Sequence, residues 1–172
     1  SQTAYPGSIG IATRRVAILA ADGVDIAVLG RIYDALLKRG AVPRVAAARL
    51  GPVVGEDGAQ WQADATIEAM PSALYDALIV PPGDAAATSL CEDGLAVEFI
   101  RDQYRHCKPV MVLGAAAGLL DRAGISAVLP TGDPDLALVN AAGDQLDEAL
   151  AQFIEVLAGP RELNRETDPP VV

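Results

Sequence analysis

Arg15-Val16-Ala17-Ile18-Leu19-Ala20-Ala21-Asp22-Gly23-Val24-Asp25 decides the fold class. Residues 15–21 form a short apolar run without polar alternation, and Asp22-Gly23 ends it with a turn signal. A strand covered on both faces reads this way, as in a parallel sheet flanked by helices. Directly after it, Val24, Val28, Ile32, Ala35 and Leu36 recur at helical spacing as far as Lys38, and Gly40 stands where a helix would close.

The same alternation continues along the chain. Residues 42–47 (VPRVAA), 75–81 (YDALIVP), 109–113 (PVMVL) and 136–139 read as further strands. Pro43 lies near the start of its strand, where proline is tolerated. Residues 89–106, 115–123 and 145–157 read as helices, the second closed by Gly124 and the third by Gly159-Pro160. The Gly- and Asp-rich stretch 50–64 predicts a hairpin around Glu56-Asp57-Gly58. Alternating strands and helices predict an α/β fold, a flavodoxin-like three-layer sandwich with a mainly parallel sheet. The domain is expected over residues 14–160. Residues 1–13 read as a linker or arm, and 161–172 as a charged, Pro-containing tail on the surface.

Composition narrows the function. The chain has 172 residues, 51% of them hydrophobic, enough for one domain with a substantial core. Thirteen Lys+Arg against 23 Asp+Glu leave a net charge of −10. That sign disfavours nucleic acid, whose phosphates supply most of the affinity of their binders, and anionic membrane surfaces equally. No apolar run approaches the ~20 residues of a transmembrane helix. Two cysteines, Cys91 and Cys107, fit a reducing compartment, and the expected location is the cytoplasm. His106 is the only histidine, which excludes a multi-histidine metal site within the chain.

Ligands of open α/β sheets bind at the carboxyl ends of strands, so residues 22–25, 81–84 and 113–117 are the places for chemistry. The first turn has neither G-x-G-x-x-G nor a Walker lysine, which removes the dinucleotide and P-loop readings. The turn after the 109–113 strand, where a nucleophile elbow would stand, is Gly114-Ala115-Ala116-Ala117-Gly118. It carries no hydroxyl, thiol, imidazole or carboxylate.

Asp22-Gly23-Val24-Asp25, the run from Tyr75 through Pro81-Pro82-Gly83, and Lys108-Pro109-Val110 leading to a small-residue elbow resemble the PfpI-type branch of the class I glutamine amidotransferase-like superfamily. The resemblance puts that family's elbow cysteine on Gly114 and its following histidine on Ala115. The helix glutamate falls on Val28, an earlier acidic position on Asp25, and the Gly-Gly after the middle strand on Pro82 and Gly83. A thiolate nucleophile needs sulfur and a polarising partner, which Gly114, Ala115 and Val28 do not supply. Peptidase, deglycase and glyoxalase activities are therefore expected to be absent, and Gly114, Ala115, Val28, Asp25, Pro82 and Gly83 are vestigial positions.

The chain also resembles the C-terminal domain of large-subunit haem catalases, a PfpI-like domain with the same gap. The matches are residues 15–25, Arg49-Leu50-Gly51-Pro52-Val53, the 71–77 stretch with Leu74-Tyr75-Asp76-Ala77, Tyr104-Arg105-His106-Cys107-Lys108-Pro109, and the Arg161…Arg165-Glu166 region. The resemblance implies a silent domain that stabilises a parent homotetramer decomposing hydrogen peroxide, with chaperone activity toward unfolding client proteins. It implies haem in the parent core and no cofactor here. The alternatives are a stand-alone PfpI-like hydrolase or glyoxalase using Cys91 or Cys107, and a small-ligand receptor near Asp25, Gly83 and Gly114.

The remaining polar residues have simpler readings. Asp22, Asp25 and Asp84 read as helix caps. Cys91 is expected at a helix start, Cys107 as buried, His106 as a helix C-cap and Trp61 as a core or interface residue.

Overall fold

The computed structural model describes residues 10–160 and Arg165. Six parallel strands form the main sheet: β1 (Arg15–Leu19), β2 (Val42–Ala47), β5 (Ala65–Thr66), β6 (Ala77–Val80), β7 (Val110–Leu113) and β8 (Leu138–Ala141), in the order β5-β2-β1-β6-β7-β8. The antiparallel hairpin β3 (Gly51–Val54) and β4 (Gln60–Ala63) stands apart from it.

The apolar runs are buried on both faces, as their lack of alternation requires. Val16 and Ile18 pack with Leu29, Ile32 and Leu36 of α1 (Ile26–Lys38) and with Phe153 and Leu157 of α5 (Leu146–Ala158). Ala17 and Leu19 face the other layer, with Leu90 of α2 (Asp84–Glu92), Phe99 and Ile100 of α3 (Gly94–Arg105), and Leu119 and Leu120 of α4 (Gly118–Ala123). This is the expected three-layer α/β sandwich.

Helix ends follow local chemistry. The Asp25 carboxylate accepts the Val28 N–H at 3.1 Å and caps α1. At the other end Gly40 has φ +79°; its N–H donates to Leu37 O and that of Ala41 to Leu36 O, a Schellman closure. The helix expected over 89–106 is two helices. Asp93 separates them: its N–H closes α2 on Leu90 O, and its carboxylate accepts from Leu95 N–H to start α3.

The last strand lies two residues later than expected, after Asp135, which forms a buried ion pair. Arg165 Nε donates to Asp135 Oδ2 at 2.6 Å, and the two side chains are 1% and 0% exposed. Arg165 also donates to Lys108 O at 2.6 Å and lies over the Tyr104 ring at 4.5 Å. Within the stretch expected as a surface tail, this residue is therefore buried; the rest of 161–172 lies outside the described residues. Ile11, within the expected arm, is buried too. Residues 1–9 lie outside the description. Beside Arg165, the Lys108 ammonium donates to Ser72 O and Ala73 O, and Gln103 donates to Ser72 O. The four buried polar residues among those described thus sit at the amino-terminal end of the sheet. Among the described residues no helix is long and apolar enough to cross a membrane.

Candidate functional site

The strand order reverses between β1 and β6, and the crevice outside their carboxyl ends is where a doubly wound sheet holds its ligand. Here the loops around that point close on each other. The Asp25 N–H donates to Pro82 O at 2.8 Å. Gly83 has φ +145°, and a side chain there would run into the Gly23 carbonyl. Gly23 has φ +92°, and a Cβ on it would come within 2.6 Å of Ala85 Cβ. Glycine at both positions lets the two loops meet backbone to backbone. The hairpin seals the outer side: Gly23 N–H donates to Val54 O, and Asp22 Oδ1 accepts the Val54 N–H at 2.9 Å. Asp22 therefore ties the hairpin to the loop, and of the two aspartates only Asp25 caps α1.

The elbow after β7 keeps its shape. Gly114 has φ +56° and begins a tight turn through Ala117 that leads into α4. The position a side chain would take at Gly114 is crowded from the neighbouring loop: an added Cβ would stand 3.2 Å from Pro82 Cβ. Gly143 approaches the same proline, whose Cβ and Cγ would lie 3.6 Å from a Cβ added there. The Pro82 ring thus sits between two glycines and crowds the elbow position.

The six positions singled out in the sequence do gather at the carboxyl ends of β1, β6 and β7, but they hold no acid–base pair. Val28 is half-buried against the core on the α1 side, Ala115 is exposed, and the Asp25 carboxylate is committed to its cap. Asp84 is the first residue of α2 rather than its cap; Gly83 is the N-cap, and no side chain bonds there.

Cys91 lies in the last turn of α2, not at a helix start. It borders a cleft of about 380 Å³ that also touches Asp84, Thr88 and Ala115. Burial pushes its thiol pKa up, against the smaller pull of Arg122. The dipole at this end of a helix also opposes a thiolate. Cys107 is buried with φ +59°, and His106 is the C-cap of α3, both as expected. Trp61 packs against Tyr33 with the rings tilted by 60° and their centres 5.1 Å apart, which fastens the hairpin to α1. Among the described residues, no three His, Cys, Asp or Glu side chains gather as a metal site would require.

Sequence comparison with known families matches residues 12–166 to the C-terminal domain found in long catalases. The chain belongs to that family. This catalase C-terminal domain is 38% identical to Catalase HPII of Mycobacterium avium, over 94% of its own length and 24% of the relative's. It is 32% identical to Catalase HPII of Pseudomonas putida, over 96% of its own length and 22% of the relative's. It thus spans about a quarter of the length of the curated relatives it matches. Its fold is shared with Drosophila melanogaster DJ-1beta, at TM-score 0.75 and 18% identity over 86% of this chain and 92% of that one. A ThiJ/PfpI domain protein from Brachyspira murdochii superposes at TM-score 0.72 and 13% identity, over 86% and 98%. The catalase C-terminal domain is therefore a DJ-1/ThiJ/PfpI-type α/β fold, as the sequence leads one to expect.

Proposed function

We propose that this domain is catalytically silent and serves a large-subunit haem catalase, whose remaining part decomposes hydrogen peroxide, by stabilising the parent homotetramer. The observation that carries the reading is the empty elbow: Gly114-Ala115-Ala116-Ala117 offers no nucleophile, and Pro82 crowds the position where one would stand. Thiol chemistry at Cys91 gains no support from a thiol whose pKa burial raises.

Haem belongs to the parent core in this reading, and the described residues here do not suit it. A tyrosinate ligand needs a lowered pKa in a haem-sized apolar pocket. Burial raises the pKa of Tyr33, Tyr75 and Tyr104, and each is engaged, by Trp61, Phe99 and Arg165 respectively. His106 is exposed at a helix end.

Chaperone activity toward unfolding client proteins is a second, separable part of the proposal. A charge of −10 supports solubility while apolar surface is engaged, and argues against nucleic acid or membrane as partner. Two cysteines favour the cytoplasm.

Assay of the isolated chain against methylglyoxal, peptides and hydrogen peroxide is expected to give no turnover; turnover abolished by Cys91→Ser overturns silence. The long protein without residues 14–166 should lose its tetramer, or its activity on heating, sooner than the intact one. Equal lifetimes would sink the stabilising role. At equimolar ratio the domain should slow light scattering by a heat-labile client, and an unchanged trace would remove the chaperone part alone.

A further inference from the structure

The apolar clefts and the ends of the described chain gather at one end of the molecule, opposite Gly114 and Pro82. Ile11 is buried there, and Thr13 N–H donates to Gly40 O at 2.9 Å, so the chain joins the sheet firmly at this point. A cleft of about 610 Å³ opens beside it, lined by Gly10, Ile11, Ile154 and Ala158, with Arg39 and Glu155 as its charged residues. A second cleft of about 350 Å³ shares Glu155 and runs to Leu136, which is 63% exposed. Among the described residues, one positive and one negative group line these clefts, on a chain of charge −10. Among the described residues, these clefts offer apolar contact more than charge.

Its occupant follows from where the missing polypeptide lies. The family is a C-terminal domain, and the match covers only 24% of the Mycobacterium avium relative. In such a protein the bulk of the chain precedes this domain and reaches it through Gly10, at the lip of the larger cleft. Tethering there presents the preceding body at an effective concentration of order millimolar, far above a free partner. The buried Arg165–Asp135 pair and Lys108 brace the same end.

We propose that these joined clefts are the seat of the domain, the face that packs on the catalase body preceding it, with the end that holds Gly114 and Pro82 turned away. The proposal rests on the reading of this chain as an accessory domain of a long catalase, and it names the surface used.

Hydrogen–deuterium exchange on the 172-residue chain and on the long protein that contains it tests the proposal. Amides of 11–14 and 153–158 should exchange at least 10-fold more slowly in the long protein, with 82–84 and 114–118 unchanged. Slowing at 82–84 or 114–118 alone would overturn the seat while leaving the accessory role standing. Equal exchange everywhere, or a gene with no catalase body upstream, would overturn the accessory role and the seat together. Leu136→Glu, at an exposed position, should leave the melting temperature of the short chain unchanged and reduce the protection of 153–158 at least 5-fold in the long protein. Full protection in that variant removes the second cleft from the seat.

Discussion

Gly114 and Pro82 stand close enough to crowd each other: a Cβ added to Gly114 would meet Pro82 Cβ at 3.2 Å. The elbow glycine and the proline are therefore energetically coupled. Gly114→Cys is expected to destabilise by about 2–4 kcal/mol, from side-chain crowding and a left-handed backbone. In a Pro82→Gly background the same change should cost roughly 1–2 kcal/mol less, the size of coupling seen between residues in contact. Urea denaturation of the two single variants and the double variant measures this. Strict additivity would show that Pro82 does not crowd the elbow.

Gly83 and Gly58 both have positive φ, +145° and +83°, but differ in surroundings. A Cβ at Gly58 meets nothing within 4 Å, whereas at Gly83 it runs into the Gly23 carbonyl. Gly58→Ala should therefore cost only backbone strain, about 1–2 kcal/mol. Gly83→Ala should cost several kcal/mol more or prevent folding. Thermal unfolding of both variants separates strain from collision, and equal losses would mean the β1 and β6 loops are not in contact.

Removing one partner of the Arg165–Asp135 pair strands a buried charge, which costs about 3–5 kcal/mol. Arg165→Met and Asp135→Leu should each destabilise on that scale, measured by urea midpoint. The double variant should recover part of the loss, since no charge is then left alone. A double variant as weak as the sum of the singles would rule out direct pairing.

Alkali should weaken the fold. Burial raises the pKa of Tyr33, Tyr75 and Tyr104 above their ordinary value near 10, and that of Cys91 above its own. A raised folded pKa means the folded state keeps protons the unfolded chain has lost. The associated stability is fully present below the unfolded pKa and declines as pH rises past it toward the folded value. Unfolding free energy should therefore fall from roughly pH 9 upward. A flat profile between pH 8 and 11 would contradict the burial of these groups.

Much of this architecture is legible in the sequence because buried parallel strands are short, apolar and bounded by turn residues. The β2 bounds and the α1 cap at Asp25 follow from local chemistry alone. The break at Asp93 escapes periodicity because the apolar spacing runs on through it; the signal was the Asp93-Gly94 pair. β5 is two residues long and owes its existence to pairing with β2. Arg165 reads as a tail residue because its partners, Asp135 and Lys108, are 30 and 57 positions away. At the elbow, the missing nucleophile is plain in Gly114-Ala115. That Pro82 crowds the elbow is a long-range fact that only the folded chain reveals.

Trp61 has an optical consequence. It is the only tryptophan in the chain, and it lies in the hairpin rather than the main sheet. Its ring rests on Tyr33, near the Gly30 face of α1. Emission excited at the red edge of the protein band therefore reports on the seam between hairpin and helix, while far-ultraviolet dichroism reports on the sandwich as a whole. Gly23 and Asp22 bond that hairpin to the loop at the heart of the sheet. The colour of the emission thus follows the same cooperative transition as the helices, and one intrinsic dye registers whether the β1 loop is in place.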